Sequence, residues 1–214
     1  MNKQKQIEKA LSSFLREYVS SLARILNAAV EKRRISYEEI EKLIAPREDI
    51  EEVLLLGYDW RILLPVRSSK SMEWGDRVLL PLPGEIYELP NVVRYLVWEA
   101  AGSGIWEPER AVAVVAREMG EPAWAQVPRL VEILEDNAKG MHVTAVQIKK
   151  ACRALDLEDR VDSLIADLKA CGILSPALGY LPEAAKKRTP VYELNPSLFP
   201  RYNISHRGTE NTEF

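Results

Sequence analysis

Parts of this chain occur twice, and that constrains its fold more than any other feature. Ile35-Ser36-Tyr37-Glu38-Glu39-Ile40-Glu41-Lys42-Leu43-Ile44 can be laid over Val143-Thr144-Ala145-Val146-Gln147-Ile148-Lys149-Lys150-Ala151-Cys152, 108 positions on. Arg61-Ile62-Leu63-Leu64-Pro65 matches Gly172-Ile173-Leu174-Ser175-Pro176, 111 positions on. Ile86-Tyr87-Glu88-Leu89-Pro90 matches Val191-Tyr192-Glu193-Leu194-Asn195, 105 positions on. The drifting offset requires small insertions, and these fall in turns. Three matches in the same order point to two copies of one unit. A length of 214 residues accommodates two small domains, each with a modest core.

Each copy reads as the same series of elements. In copy one, Ile7, Leu11, Phe14, Leu15, Tyr18, Leu22, Ile25, Leu26 and Ala29 recur near a 3.6-residue period and predict one long amphipathic helix. In copy two the corresponding helix is predicted over Val127 to Lys139, with Leu130, Val131 and Leu134 inward and Gly140 as its stop. A β-branched pair then leads into a second helix. Ser36 and Thr144 are natural N-caps, and Glu39 completes a capping box with Ser36. A third helix follows, with Ile50, Val53 and Leu54 inward in one copy and Val161, Leu164, Ile165 and Leu168 in the other. Two strands close each unit. They are predicted over Trp60 to Val66 and Asp76 to Leu82 in copy one, and over Ile173-Leu174 and Pro190 to Leu194 in copy two.

Helix, short strand, helix, turn, helix, hairpin is the order of a winged helix-turn-helix. The run Ile165-Ala166-Asp167-Leu168-Lys169-Ala170-Cys171-Gly172-Ile173-Leu174-Ser175-Pro176 resembles the passage from third helix to wing in the winged-helix superfamily. The resemblance covers 143–195 and, less closely, 35–90. It implies a mainly α fold with small β-hairpins (α+β), two winged-helix domains in tandem and a helical connector. The expected division is 1–90, a connector over 91–121, a second domain over 122–201 and a flexible tail over 202–214. Within the connector, Asn91 to Ala101 and Glu107 to Met119 read as helices broken at Gly102-Ser103-Gly104. Trp98, Trp106 and Trp124 are expected to glue it to one or both wings.

No catalytic motif stands out. The chain has no HExxH, CxxC, GxSxG or phosphate loop ending in Gly-Lys-Ser/Thr. Its two histidines, His142 and His206, have no ligand spacing around them, so neither a metal nor a cofactor is expected and the chain reads as a non-enzyme. Cys152 and Cys171 read as reduced core residues, a disulfide being the alternative. The N-terminus lacks a signal-peptide core and no apolar run reaches membrane-spanning length, so a cytoplasmic protein without membrane contact is expected.

Charge bears on the functions that such a fold serves, the fold favouring DNA binding and the charge a protein scaffold. The net charge is −3, so nucleic-acid binding would have to rest on local patches. The patches are Lys32-Arg33-Arg34, the first wing (Arg67, Lys70, Arg77), Lys149-Lys150-Arg153 on the second helix of copy two, and Lys186-Lys187-Arg188 at the second wing. Phosphate contacts are expected at Arg67, Lys70, Lys186, Lys187 and Arg188, with Lys149, Lys150 and Arg153 beside them. Both third helices are acidic: Glu48, Asp49, Glu51 and Glu52 against Arg47 in one, Asp156, Glu158, Asp159, Asp162 and Asp167 against Arg160 and Lys169 in the other. The simplest account of Asp156, Glu158 and Asp159 is that they cap a helix N-terminus. Two functions follow as expectations. The first is a DNA-binding transcriptional regulator, dimerising through the long N-terminal helix. The alternative is a protein-interaction scaffold whose partner engages the acidic third helices or the tryptophan-bearing connector, a use that winged-helix tandems have in chromosome-condensation and endosomal-sorting assemblies.

Overall fold

The computed structural model describes residues 2–44, 49–66, 73–75, 77–177 and 189–201. It is mainly α with two small antiparallel sheets, the class the sequence predicts. Helices α1 (Lys3–Leu11) and α2 (Val19–Ala29) precede strand β1 (Arg34–Ser36), helices α3 (Tyr37–Leu43) and α4 (Ile50–Asp59), and strands β2 (Leu64–Pro65) and β3 (Ile86–Glu88). The connector holds α5 (Asn91–Ser103) and α6 (Pro108–Glu118). Copy two follows as α7 (Val127–Asp136), β4 (His142–Thr144), α8 (Ala145–Arg153), α9 (Val161–Ala170), β5 (Leu174–Pro176) and β6 (Val191–Leu194).

The repeat extends to individual hydrogen bonds. The sheets are ordered β1-β3-β2 and β4-β6-β5, both antiparallel. Tyr87 lies between Ile35 and Pro65, and Tyr192 lies between Val143 and Pro176, so the pairing obeys all three sequence offsets. Leu89 N donates to Arg33 O at 3.0 Å as Leu194 N donates to Met141 O at 2.8 Å. Arg33 and Met141, matched in position, both take a φ of 63°. Ser36 and Thr144 each close a capping box, with Glu39 and Gln147 answering them. The glutamine was not foreseen as the reciprocal partner. Thr144→Ala removes the acceptor for Gln147 N at 3.2 Å. It is expected to lower stability by about 1 kcal/mol in a urea titration, and Ser36→Ala by a similar amount.

The long N-terminal helix does not form. It breaks between α1 and α2, where the hydroxyls of Ser12 and Ser13 donate to Glu8 O and Ala10 O at 2.8 and 2.7 Å. Such back-bonding competes with helix continuation. Tyr18 then turns the chain at a φ of 54°. The break places Phe14 between Trp60 and Trp106, with ring centroids 4.9 and 5.4 Å away. Tertiary contact here overrides an unbroken helical period. Ile7, Ala10 and Leu11 are buried, and α1 packs on α2 and α5. A homodimer on that face would have to open these contacts.

A strand over Asp76 to Leu82 is also absent from the described part of that segment, 77–82. Pro81 and Pro83 lack the N–H a ladder needs, and Leu82 N donates locally to Leu80 O at 2.9 Å. The partner strand is Ile86–Glu88, within the block that the repeat matches. Trp60 to Leu63 form the turn out of α4 and not a strand. Helix α7 stops at Asp136, short of the expected Lys139, because Lys139 pairs with His142 as an isolated bridge.

The two copies and the connector share one cluster of buried side chains running from Ile7 to Phe199. Trp106 is part of it, its Nε1 donating to Ser197 O at 2.8 Å. Trp98 and Trp124 are instead exposed, so the expected aromatic glue comes from Trp106 alone. Gly104 ends α5 at a φ of 71°, the helix-breaking role expected of the Gly102-Ser103-Gly104 stretch.

Candidate functional site

The copies meet through a buried polar seam. Arg61 leaves α4 at a φ of 51°, and its guanidinium grips Glu193 of β6 through Nε and Nη2 at 3.2 and 3.4 Å. Its Nη1 donates to Tyr58 O, and the guanidinium stacks on the Tyr58 ring. Asn195 Nδ2 donates to Arg61 O and Gly172 O at 3.3 and 3.1 Å. Across the seam Gly172 abuts Pro90. Position 61 matches 172 and position 90 matches 195, so these contacts are reciprocal in the way a local two-fold axis would make them. The segment between β2 and β3 is held here too: Ser175 Oγ accepts from Trp74 N at 2.9 Å, and Tyr58 OH donates to Trp74 O at 2.9 Å.

A second buried knot ties the connector to α9. Glu121 receives the Arg160 guanidinium at both oxygens, and also Ala123 N. Burial, and then Glu121 beside it, raises the Asp167 carboxyl above its usual range. Burial pushes the neighbouring Cys171 thiol up to about 12, and it raises Cys152 as well. These are buried, protonated thiols and not activated nucleophiles.

Among the described residues, most cations of the basic clusters pair with carboxylates of the chain. Lys149 and Arg153 on α8 both reach Glu158, the arginine in bidentate fashion at 2.8 and 2.5 Å and the lysine at 3.5 Å. Glu158 therefore clamps α8, and Asp156, Glu158 and Asp159 cap nothing. The short 3-10 turn they border, Glu158–Arg160, has no side-chain cap bond. Arg77 is half-buried against Glu88 at 2.8 Å, Arg34 also reaches Glu88, and Lys32 binds Glu39. Within the four clusters, only Arg33 and Lys150 have no carboxylate partner among the described residues. Arg67, Lys70, Lys186, Lys187 and Arg188 lie outside those residues.

Hydrogen bonds from Arg153 hold the Glu158 carboxyl at about 2, below its ordinary 4.5. A carboxylate depressed in the folded state stabilises it above about 4.5 and loses that contribution as pH falls toward about 2. Arg153→Ala is expected to return the Glu158 pKa most of the way to 4.5, read by carboxyl-carbon NMR titration. An unmoved pKa would show that the clamp does not form in solution.

The third helices show solvent little but acid and small apolar groups. On α4 the exposed residues are Glu51, Glu52 and Leu55; on α9 they are Asp162, Ser163, Ala166 and Ala170. Lys169 is half-buried, and Arg160 is bound to Glu121. A concave site lies elsewhere. It is a groove of about 850 Å³ between α6, the turn holding Trp124, α7 and Leu198–Pro200. Among the described residues no group of metal-ligating side chains converges. None of the described helices is long and apolar enough to cross a membrane.

A protein-family model matches residues 5–203, which takes in both copies and the connector. The chain belongs to that family. The family is an uncharacterised one, and its model treats the tandem as a single unit, in keeping with the shared core. No curated protein and no solved structure matches the chain.

Family membership thus leaves the site to be argued from geometry. Two of its features escaped the sequence reading. The Arg61–Glu193 pair joins residues of the repeat whose counterparts, Gly172 and Glu88, make no such pair. The groove is assembled from three separated segments. A mismatch of charge within the repeat, arginine against glycine, was the one available signal for the seam.

Proposed function

We propose that this chain is a non-catalytic pair of winged helices acting in the cytoplasm as a protein-interaction scaffold. The observation that carries the reading is the surface of the two third helices. In a DNA-bound winged helix the third helix enters the major groove between rows of phosphates. Here that surface would bring Glu51, Glu52 and Asp162 against phosphate, with the half-buried Lys169 the one cation among the described residues of the two helices to offset the repulsion. The neutralisation of Lys149 and Arg153 by Glu158, and the anchoring of the segment between β2 and β3 at Trp74, support the same reading. The exposed Trp98 and Trp124 offer aromatic surface of the kind enriched at protein interfaces.

A DNA-binding regulator is the second reading, favoured by the wing cations Arg67, Lys70, Lys186, Lys187 and Arg188. Capture of sheared genomic DNA by the purified chain at low and physiological salt separates the two. The scaffold reading expects no locus to be enriched at physiological salt. Enrichment of a few loci that survives there, and is lost when Lys186, Lys187 and Arg188 are reversed to glutamate, would overturn it.

A further inference from the structure

The α6–α7 groove has a composition that names its occupant. Its apolar surface comes from Trp124, Pro128 and Pro200, above the buried Val112 and Val131. Its charge is one-sided. Carboxylates line it at Glu107, Glu109, Glu132 and Glu135, against two arginines. Both arginines are already occupied: Arg110 bridges Glu99 and Glu107 at 3.1 and 3.6 Å, and Arg129 holds Glu132. Glu109 stands exposed on the rim.

Glu135 is different. It is half-buried and lines both this groove and the adjoining one that runs to Arg201. No described residue gives its carboxylate a hydrogen bond or an ion pair. Its charge is disfavoured where it stands: burial raises its pKa first, then Asp136 and, less, Glu132, while Arg201 opposes them. A half-buried carboxylate beside apolar surface, with no partner among the described residues, is a receptor for a cation.

We propose that the groove receives a short segment of a partner protein that carries a lysine or arginine among apolar side chains. The cation meets Glu135, and the apolar side chains cover Trp124, Pro128 and Pro200. The volume falls within the range of concave sites that enclose a ligand of several side chains. This assignment rests on the scaffold reading and gives that reading a place and a partner chemistry.

The test is a selection of short random peptides, displayed on phage, against the full chain. A synthetic copy of the strongest peptide is then measured by fluorescence anisotropy. The enriched peptides are expected to place Lys or Arg between apolar residues. Glu135→Gln should weaken binding about tenfold, the loss of one charge-assisted contact. Trp124→Ala should weaken it comparably, and Glu41→Gln, on the exposed side of α3, should not. Enriched peptides without a basic residue, or equal affinity for the Glu135→Gln chain, would overturn the groove assignment. The scaffold reading would survive such a result, because only the DNA capture tests it directly. Peptides that reproduce residues 202–214 would assign the groove to the chain's own terminus. Self-association abolished by Glu135→Gln would assign it to a second copy; either result would overturn the partner assignment.

Discussion

Replacing Arg61 by methionine should destabilise the protein by about 3–5 kcal/mol, the usual consequence of removing one member of a buried ion pair. Methionine keeps most of the apolar stem, so the loss is chiefly that of the charge. Both side chains are almost wholly removed from water, at 7% and 6% exposure. Glu193 without its guanidinium is then a buried anion between two packed copies. Removing both charges, as in Arg61→Met with Glu193→Met, should recover most of the loss, because neither group is left behind. Equilibrium urea titrations of the three variants and the parent decide it. A single variant that unfolds like the parent would show that the seam opens readily and that the copies do not depend on it. An unfolding curve that splits into two steps would show that the pair couples the copies more than it stabilises either one.

The second large effect is expected at Gly172. An alanine there must hold a φ of 75°, which costs about 1–2 kcal/mol for a residue with a Cβ. The new methyl would also lie 2.6 Å from Pro90 Cβ and 3.3 Å from Asn91 N, so the seam itself must shift. Overpacking of that kind adds about 1–3 kcal/mol. The sum, about 3 kcal/mol, should lower the thermal midpoint far more than Gly140→Ala. Gly140 also has a positive φ, 56°, but a Cβ there meets nothing within 4 Å. It therefore serves as the control that isolates backbone strain from contact. Equal midpoints for the two variants would refute the close approach of the copies. Arg61, matched to Gly172, tolerates a similar backbone because its side chain leads toward Glu193 and not into a proline.

The internal repeat made much of the fold legible. Capping at Ser36 and Thr144, the inward faces of α4 and α9, and the equivalence of Tyr87 and Tyr192 are local or periodic properties, and the structure shows each of them. The misses share a cause. The helix through Ser12 and Ser13, and the strand through Leu79 and Leu80, had the right periodicity but were overruled. Phe14 is drawn between two tryptophans, and the prolines at 81 and 83 withhold ladder donors. The candidate phosphate contacts were legible only as charge. Nothing in the spacing of Lys149, Arg153 and Glu158 revealed that the turn after α8 would fold the glutamate back onto both cations.

The sequence by itself determined that one α+β unit recurs, where α3 and α8 start, and which side chains of α4 and α9 point inward. Those properties arise from backbone preference and hydrophobic period within a few residues of each position. Only the tertiary structure decided that the copies share one core, that Arg61 of one answers Glu193 of the other, and that Glu135 lines a groove with no partner among the described residues. Each of these joins residues far apart in the chain. Whether a charge is paired or free depends on which distant neighbour folding brings within about 4 Å of it, and a single sequence does not record that distance.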